Sequence, residues 1–238
     1  MRHLLIYFTL VWPVALYAQA GTDPVKPFLE RIKAAYAQAS YLGFRVTYLY
    51  TNESHPDQPN DSITGEVALD KGRCRYVMDG IETLVTGNHT IQIMRENQSI
   101  YLSASGHSSV VDPIYLIDSV LQHMNGVHSN LSKRGSMDVL AISFPEGLQF
   151  TRIEMGVDEK TGFLREMTYF LHTASFVDKT DQGYDPEGRV LVRFNHYTQG
   201  AFGDALFDEN AIITKTAGRY QPVGKYRAYQ LYLATPNL

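Results

Sequence analysis

The sequence contains a single cysteine, Cys74, so no disulfide can form within the chain. Tryptophan is equally scarce, since Trp12 is the only one among the 238 residues. A chain of this length that lacks disulfides has to be stabilised by a hydrophobic core, and it is long enough to build one. The aromatic residues that it does contain are tyrosines and phenylalanines, which favour strands.

Charge of one sign is not concentrated in any part of the chain. The 21 lysines and arginines are outnumbered by 25 aspartates and glutamates, which gives a net charge of −4 at pH 7. No run of basic residues extends beyond two or three positions. The composition therefore argues against nucleic-acid binding.

An apolar run long enough for a membrane anchor is also missing. The N-terminal apolar stretch, residues 4–15, follows Arg2 and precedes Ala18-Gln19-Ala20, which has the small-x-small pattern of a signal-peptidase site. We therefore expect residues 1–20 to be a cleaved signal peptide and residues 21–238 to form a single domain. No cysteine follows that site to carry a lipid, and the lack of disulfides fits a bacterial periplasm best.

Motifs for catalysis and metal binding were not found. Ser103 and Ser105 are not part of a Gly-x-Ser-x-Gly elbow, and His123 and His128 lie five residues apart, which is not a chelating spacing on a helix. Cys74 is expected to be a small buried residue, because Arg73 and Arg75 point to the other face of its strand. The sequence predicts no enzyme activity, no metal and no cofactor.

What the sequence does contain is a series of short strands between residues 65 and 102. The strands are separated at Lys71-Gly72, Asp79-Gly80, Gly87-Asn88 and Glu96-Asn97, and such residues tolerate the positive φ of tight turns. This pattern predicts an antiparallel meander. About ten strands are expected in all, with residues 127–136 as a polar loop and a last strand over residues 226–233.

Two amphipathic helices accompany the strands. The first is expected to start at Asp23-Pro24, with Asp23 as its cap, and to end near Ala39; the second covers residues 112–125. A large sheet with few helices should curl. The predicted fold class is α+β, mostly antiparallel β, forming a curved open half-barrel sheet whose concave face is covered by the helices.

Arg73 and Arg75 form a polar cluster, with Lys71, beside a strand of largely apolar residues. One interpretation is an exposed edge whose charges deter aggregation. The other places an arginine at the mouth of a pocket, where it hydrogen-bonds to carbonyls or to a lid. The sequence alone leaves both open.

These features together resemble the LolA/LolB-like superfamily of outer-membrane lipoprotein carriers, in a divergent, Bacteroidetes-type form. The resemblance covers most of residues 21–238 and is carried by the first helix leading into residues 41–50, Gly65-Glu66-Val67, Lys71-Gly72-Arg73-x-Arg75, Gly87-Asn88, Ile100-Tyr101-Leu102, the helix at 112–125, and residues 192–197 followed by Ala205-Leu206-Phe207-Asp208. It implies a curved sheet with helices in its hollow, a cavity for acyl chains and no catalysis. It also implies a lid latch at Arg73 or Arg75.

The function expected from this resemblance is that of a monomeric periplasmic carrier that holds acyl chains of a lipid or lipoprotein and acts with envelope membrane proteins. The alternative is a protein-binding or stress-sensing module on the same fold, as in RseB-like proteins. The apolar residues expected to line the cavity are Phe44, Val46, Tyr48, Val67, Leu69, Tyr76, Met78, Ile91, Ile93, Leu116, Val120, Leu121, Met155, Met167 and Tyr169.

Overall fold

A computed structural model defines the architecture of the chain. The described residues are 24–39, 41–52, 55–104, 121, 123–172, 187–200 and 202–235. The expected signal peptide and most of the expected second helix lie outside them.

The first helix, α1, spans Val25–Gln38. Its N-cap residue is Pro24, whose side chain makes no capping hydrogen bond. The sequence predicted Pro24 as the first helical residue, so the helix begins one residue later than expected. Val25, Phe28, Leu29 and Ile32 recur at helical spacing and are all buried, as expected for an amphipathic helix lying on a sheet.

Among the described residues fourteen strands follow, and twelve of them form one open sheet with the order β14-β6-β5-β4-β3-β2-β1-β11-β10-β9-β8-β7. All neighbours in this sheet are antiparallel except β14 and β6, which are parallel. Strands β12 and β13 form a separate hairpin. The predicted fold class, a large and mostly antiparallel open sheet with few helices, is confirmed.

The strand bounds are β1 Tyr41–Asn52, β2 Asp61–Asp70, β3 Arg73–Met78, β4 Ile81–Val85, β5 His89–Met94, β6 Ser99–Ala104, β7 His128–Arg134, β8 Met137–Ser143, β9 Phe150–Asp158, β10 Leu164–His172, β11 Glu187–Gln199, β12 Ile213–Thr216, β13 Arg219–Pro222 and β14 Gln230–Leu233. Three short 3₁₀ helices lie near the C-terminus: η1 Asp204–Phe207, η2 Glu209–Ala211 and η3 Gly224–Tyr226.

The predicted meander turns are present at β2–β3 and β3–β4. Lys71 and Gly72 have φ values of 46° and 85°, and Asp79 and Gly80 have values of 48° and 74°. Positive φ at both central residues is the geometry that matches the twist of paired strands. These two-residue loops fix the register of β2, β3 and β4.

Two predictions of secondary structure were wrong. Residues 128–134 form the edge strand β7 rather than a loop; Leu131 is their only large apolar residue, so the strand shows no alternation. The last strand is restricted to Gln230–Leu233, because Tyr226 belongs to η3. Both elements are short of the apolar periodicity on which strand prediction depends.

The sheet has a core on each of its two faces. On the face that we call the helix face, α1 packs on Val46, Met155, Met167 and Val192. On the opposite face, the C-terminal segment (residues 202–235) packs on Leu84, Ile91, Ile93, Ile100 and Leu102. We call this second side the C-terminal face. The two cores lie over different halves of the sheet.

Candidate functional site

The helix face holds most of the residues that the sequence assigned to a cavity. Val46, Met155 and Met167 are buried in the core under α1. Tyr48, Val67, Leu121 and Tyr169 are partly buried and pack against the same core, and Phe44 contacts the rings of Phe194 and Tyr197. These residues fill the interior of the β1 and β8–β11 half of the sheet.

The expected lining residues of β2 and β3 share the helix face. Strand pairing places Val67 opposite Tyr76, Gly65 opposite Met78, and Leu69 opposite Cys74. Leu69, Tyr76 and Met78 are only half-buried. They continue the apolar surface of the helix face beyond the core under α1.

Ile91 and Ile93 do not share that face, and this part of the predicted lining was wrong. Tyr76 pairs with Thr83, and Thr83 pairs with Gln92, so Gln92 is the β5 residue that lies on the helix face. Ile91 and Ile93 point the other way and are fully buried beneath the C-terminal segment. A shift of one residue in register reverses both faces of a strand.

Leu116 and Val120 lie outside the described residues.

Sequence analysis did not identify the helix-face positions of β4, β5 and β6, which extend the same surface. Ile81 pairs with Met78, Met94 pairs with Ile81, and Tyr101 lies two residues beyond Ser99, the partner of Met94. The six half-buried side chains of this apolar row are Leu69, Tyr76, Met78, Ile81, Met94 and Tyr101.

No charged side chain interrupts this row. From β3 to β6 the register assigns to the helix face only Cys74, Tyr76, Met78, Ile81, Thr83, Val85, Thr90, Gln92, Met94, Ser99, Tyr101 and Ser103. A sheet face that is exposed to water normally carries charged and polar side chains. The absence of Asp, Glu, Lys and Arg over four neighbouring strands indicates a surface made to contact apolar groups.

Burial keeps three weakly acidic groups of the helix face neutral: Tyr48, Tyr169 and Cys74. Burial, with smaller effects of Tyr50 and Tyr76, raises the pKa of Tyr48, and burial raises the pKa of Tyr169 to about 12. Burial likewise raises the pKa of the Cys74 thiol to about 12. The expectation that Cys74 is a buried residue is therefore confirmed, and its thiol is not activated as a nucleophile.

Arg73 and Arg75 both lie on the C-terminal face, opposite the apolar row. Arg73 pairs with the buried Asp70 and, at 3.3 Å, with Asp204. Its guanidinium also lies 4.7 Å from the ring centre of Phe207. Arg73 thus ties β3 to the C-terminal segment. The latch expected between either arginine and a helix over residues 112–125 stays a prediction, because residues 105–120 lie outside the described part of the chain.

Arg75 belongs to a second cluster, centred on Glu82. Its Nε and Nη2 atoms donate to Oε1 of Glu82 at 3.0 and 2.7 Å, and Arg95 donates to Oε2 at 2.8 Å. Burial alone would raise the pKa of Glu82, but hydrogen bonds from Arg95 and Arg75 outweigh it, so the pKa lies below its usual value. One buried carboxylate therefore serves two guanidinium groups.

Within the described ranges, no group of three or more His, Cys, Asp or Glu side chains is arranged to hold a metal ion. No helix in that part of the chain is long and apolar enough to cross a membrane.

Comparisons with known proteins give matches in structure only. No protein-family model matches the chain, and no curated protein matches it in sequence. An uncharacterized conserved protein from Thermus thermophilus aligns with a TM-score of 0.50 and 9% identity, over 89% of this chain and 99% of that one.

Two further matches are more distant. A LolA superfamily protein from Nitrosomonas europaea aligns with a TM-score of 0.36 and 9% identity, over 79% of this chain and 99% of that one. MucB, solved in complex with MucA(peri), aligns with a TM-score of 0.37 and 16% identity, over 84% of this chain and 62% of that one. At 9% identity, the match to the Thermus thermophilus protein shows a shared fold and nothing more.

Proposed function

We propose that this protein is a periplasmic, non-catalytic carrier-like protein that binds the acyl chains of a lipid or lipoprotein on the helix face of its sheet. The observation that supports the proposal is the apolar row on β2–β6, which continues from the core under α1 and is only half-buried. An acyl chain is a natural partner for such a surface, because neither has charges to satisfy.

The energetics suit reversible binding. Each methylene group removed from water contributes about 0.8 kcal/mol, so a chain of ordinary length is held without any covalent step. Flexible methionines such as Met78 and Met94 adapt to chains of different shape. The residues that we assign to the lining are the six of the apolar row.

Export is part of the proposal. The N-terminal sequence has the features of a signal peptide, and an acyl-chain carrier is useful where lipids cross an aqueous compartment between two membranes. We therefore assign the protein to the periplasm as a form that starts at residue 21 and is not itself lipidated.

Native mass spectrometry tests the proposal. The protein is purified from the periplasm without detergent, and its mass is measured before and after incubation with phospholipid vesicles. We expect a bound phospholipid or acylated protein. A clean apo mass that does not change on incubation contradicts lipid binding, and it favours the alternative of a protein-binding module on the same fold.

A charge placed in the apolar row provides the matched variant. Met78→Lys puts an ammonium group among the row and is expected to abolish uptake, because burying it against an acyl chain is costly. Thr64→Lys is the control, since Thr64 is exposed and lies on the opposite face. Equal lipid uptake by both variants would show that the helix face is not the binding surface.

A further inference from the structure

Two neutral polar side chains, Thr83 and Gln92, lie within the apolar row between Tyr76 and Tyr101. The register pairs Tyr76 with Thr83, Thr83 with Gln92, and Gln92 with Tyr101, so the four side chains lie side by side on the helix face. Directly opposed residues of an antiparallel pair have Cβ atoms about 5 Å apart. Thr83 and Gln92 therefore form one small polar spot, which we call the polar pair, on a surface that carries no charge.

The hydroxyl group of Thr83 is buried without a hydrogen-bond partner. Thr83 is 4% exposed, and in the described part of the chain no group donates to its Oγ1 atom or accepts from it. A buried hydroxyl normally has a partner, because leaving it unpaired is unfavourable. Valine has nearly the same shape and suits a strand at least as well. The packing of the sheet therefore does not explain why a hydroxyl occupies this position.

Gln92 places a second neutral donor beside this hydroxyl. Its side chain is half-buried, and its amide group donates hydrogen bonds without ionising. A carbonyl oxygen has two lone pairs and can accept from both members of the polar pair. The pair thus matches the chemistry of an uncharged carbonyl group.

A ligand can reach Thr83 without a change in the sheet. Tyr76 and Gln92, which flank it on the neighbouring strands, are only half-buried, and the half-buried Met94 beside them has a flexible side chain. Binding surfaces commonly adjust by side-chain rotation while the backbone stays in place. We therefore expect the hydroxyl to become accessible when these side chains move aside.

A charged head group has no counter-ion on this part of the sheet. From β3 to β6 the helix face carries no lysine or arginine. A carboxylate or phosphate placed there would lose its hydration and gain no opposite charge, which is costly. The polar pair suits instead a group that accepts hydrogen bonds and stays neutral.

We propose that the polar pair binds the ester carbonyl of an acyl ester whose chain lies along the apolar row. Thr83 donates to the carbonyl oxygen through its hydroxyl and Gln92 through its amide. This inference rests on the proposed function and narrows it. The ligand is an ester-linked acyl chain, such as that of an acylglycerol, and not a free fatty acid.

Competition between three lipids of equal chain length tests this assignment. The mature chain is incubated with equal amounts of monopalmitoylglycerol, its ether analogue hexadecylglycerol, and palmitate, and the bound masses are compared by native mass spectrometry. The ether lacks only the carbonyl group, and palmitate carries a charge in place of the ester. We expect the ester to be preferred to the ether about fivefold, the usual effect of one net hydrogen bond, and to be preferred to palmitate as well.

Thr83→Val removes the hydroxyl and keeps the shape of the side chain. This variant should bind the ester and the ether equally, and its free energy of unfolding should not fall, because the lost hydroxyl had no partner. Thr51→Val is the matched control. Thr51 is 5% exposed and its hydroxyl is also unpaired among the described residues, but it lies on the opposite face of the sheet. The control should keep the ester preference of the parent protein.

The outcomes separate this inference from the proposed function. Equal binding of ester and ether by the parent protein overturns the inference and leaves the acyl-chain proposal intact. An ester preference that persists in Thr83→Val, or one that is lost equally in Thr51→Val, overturns it too, as does palmitate binding that is as tight as binding of the ester. If none of the three lipids binds, both proposals fail.

Discussion

At the scale of single residues, Glu82 shows how a buried charge is kept in this fold. Its side chain is 3% exposed and accepts hydrogen bonds from Arg75 and Arg95. A buried carboxylate without such partners would take up a proton, whereas here the ionised form is favoured. The cluster joins β3, β4 and the turn after β5, so it stabilises the half of the meander that is farthest from α1.

Glu82→Gln should lower the free energy of unfolding by about 2–3 kcal/mol at pH 7, because both guanidinium groups lose a charged partner. The pKa of Glu82 is lowered in the folded state, so its stabilising effect is present above the usual value of 4.5 and is lost as the pH falls below it. Urea denaturation of both proteins between pH 3 and 7 checks this. A difference between them that does not shrink with acidification would contradict the assignment.

At the scale of elements, strand β5 contributes side chains with different roles to the two faces of the sheet. Ile93 is fully buried under the C-terminal segment, and its neighbour Met94 lies half-buried in the apolar row. The same strand therefore contributes to a packed core with one side and to the candidate lipid surface with the other.

Ile93→Ala should destabilise the protein by about 2–5 kcal/mol, the usual range for a fully buried aliphatic side chain. Met94→Ala should cost clearly less, because its side chain is already partly in water. Thermal or urea denaturation measures both. The reverse order would mean that the register of β5 differs by one residue.

The elements that the sequence predicts correctly are those with a clear apolar periodicity or with turn residues at both central positions. The stripe of α1 and the Lys71-Gly72 and Asp79-Gly80 turns were predicted correctly, and with them the shared face of Val67, Tyr76 and Met78. The connection from β4 to β5 has three residues, and its turn is closed by a bond from the Thr86 N–H to the His89 carbonyl at 2.8 Å. The residues Thr86-Gly87-Asn88 do not indicate this turn geometry, so the sequence assigned Ile91 and Ile93 to the wrong face of the sheet.

The C-terminal segment explains the remaining differences. Its short 3₁₀ helices and four-residue strands have little periodicity, so no pattern indicated that residues 202–235 cover one face of the sheet. Because the sequence did not predict this cover, it placed the apolar side chains of Ile91 and Ile93 in the interior under the helices.

At the scale of the whole molecule, Cys74 provides a probe of unfolding. It lies buried on β3, and its thiol has a pKa raised to about 12. At pH 8, a thiol reagent should therefore label the native protein slowly, and labelling should rise with urea in step with the loss of circular dichroism. Rapid labelling without denaturant would contradict the burial of this side chain.

The pairing of β14 with β6 sets an order in which the chain can acquire its structure. Strands β1–β6 pair through local connections, but the outer edge of β1 has to wait for β11, and the outer edge of β6 for the last strand of all. Until residues 202–235 have emerged, Ile93, Ile100 and Leu102 have nothing to pack against on their face. The meander is thus synthesised early, but its apolar C-terminal face is covered only when the end of the chain arrives. A chaperone that prevents aggregation would be most useful in the interval between these two events.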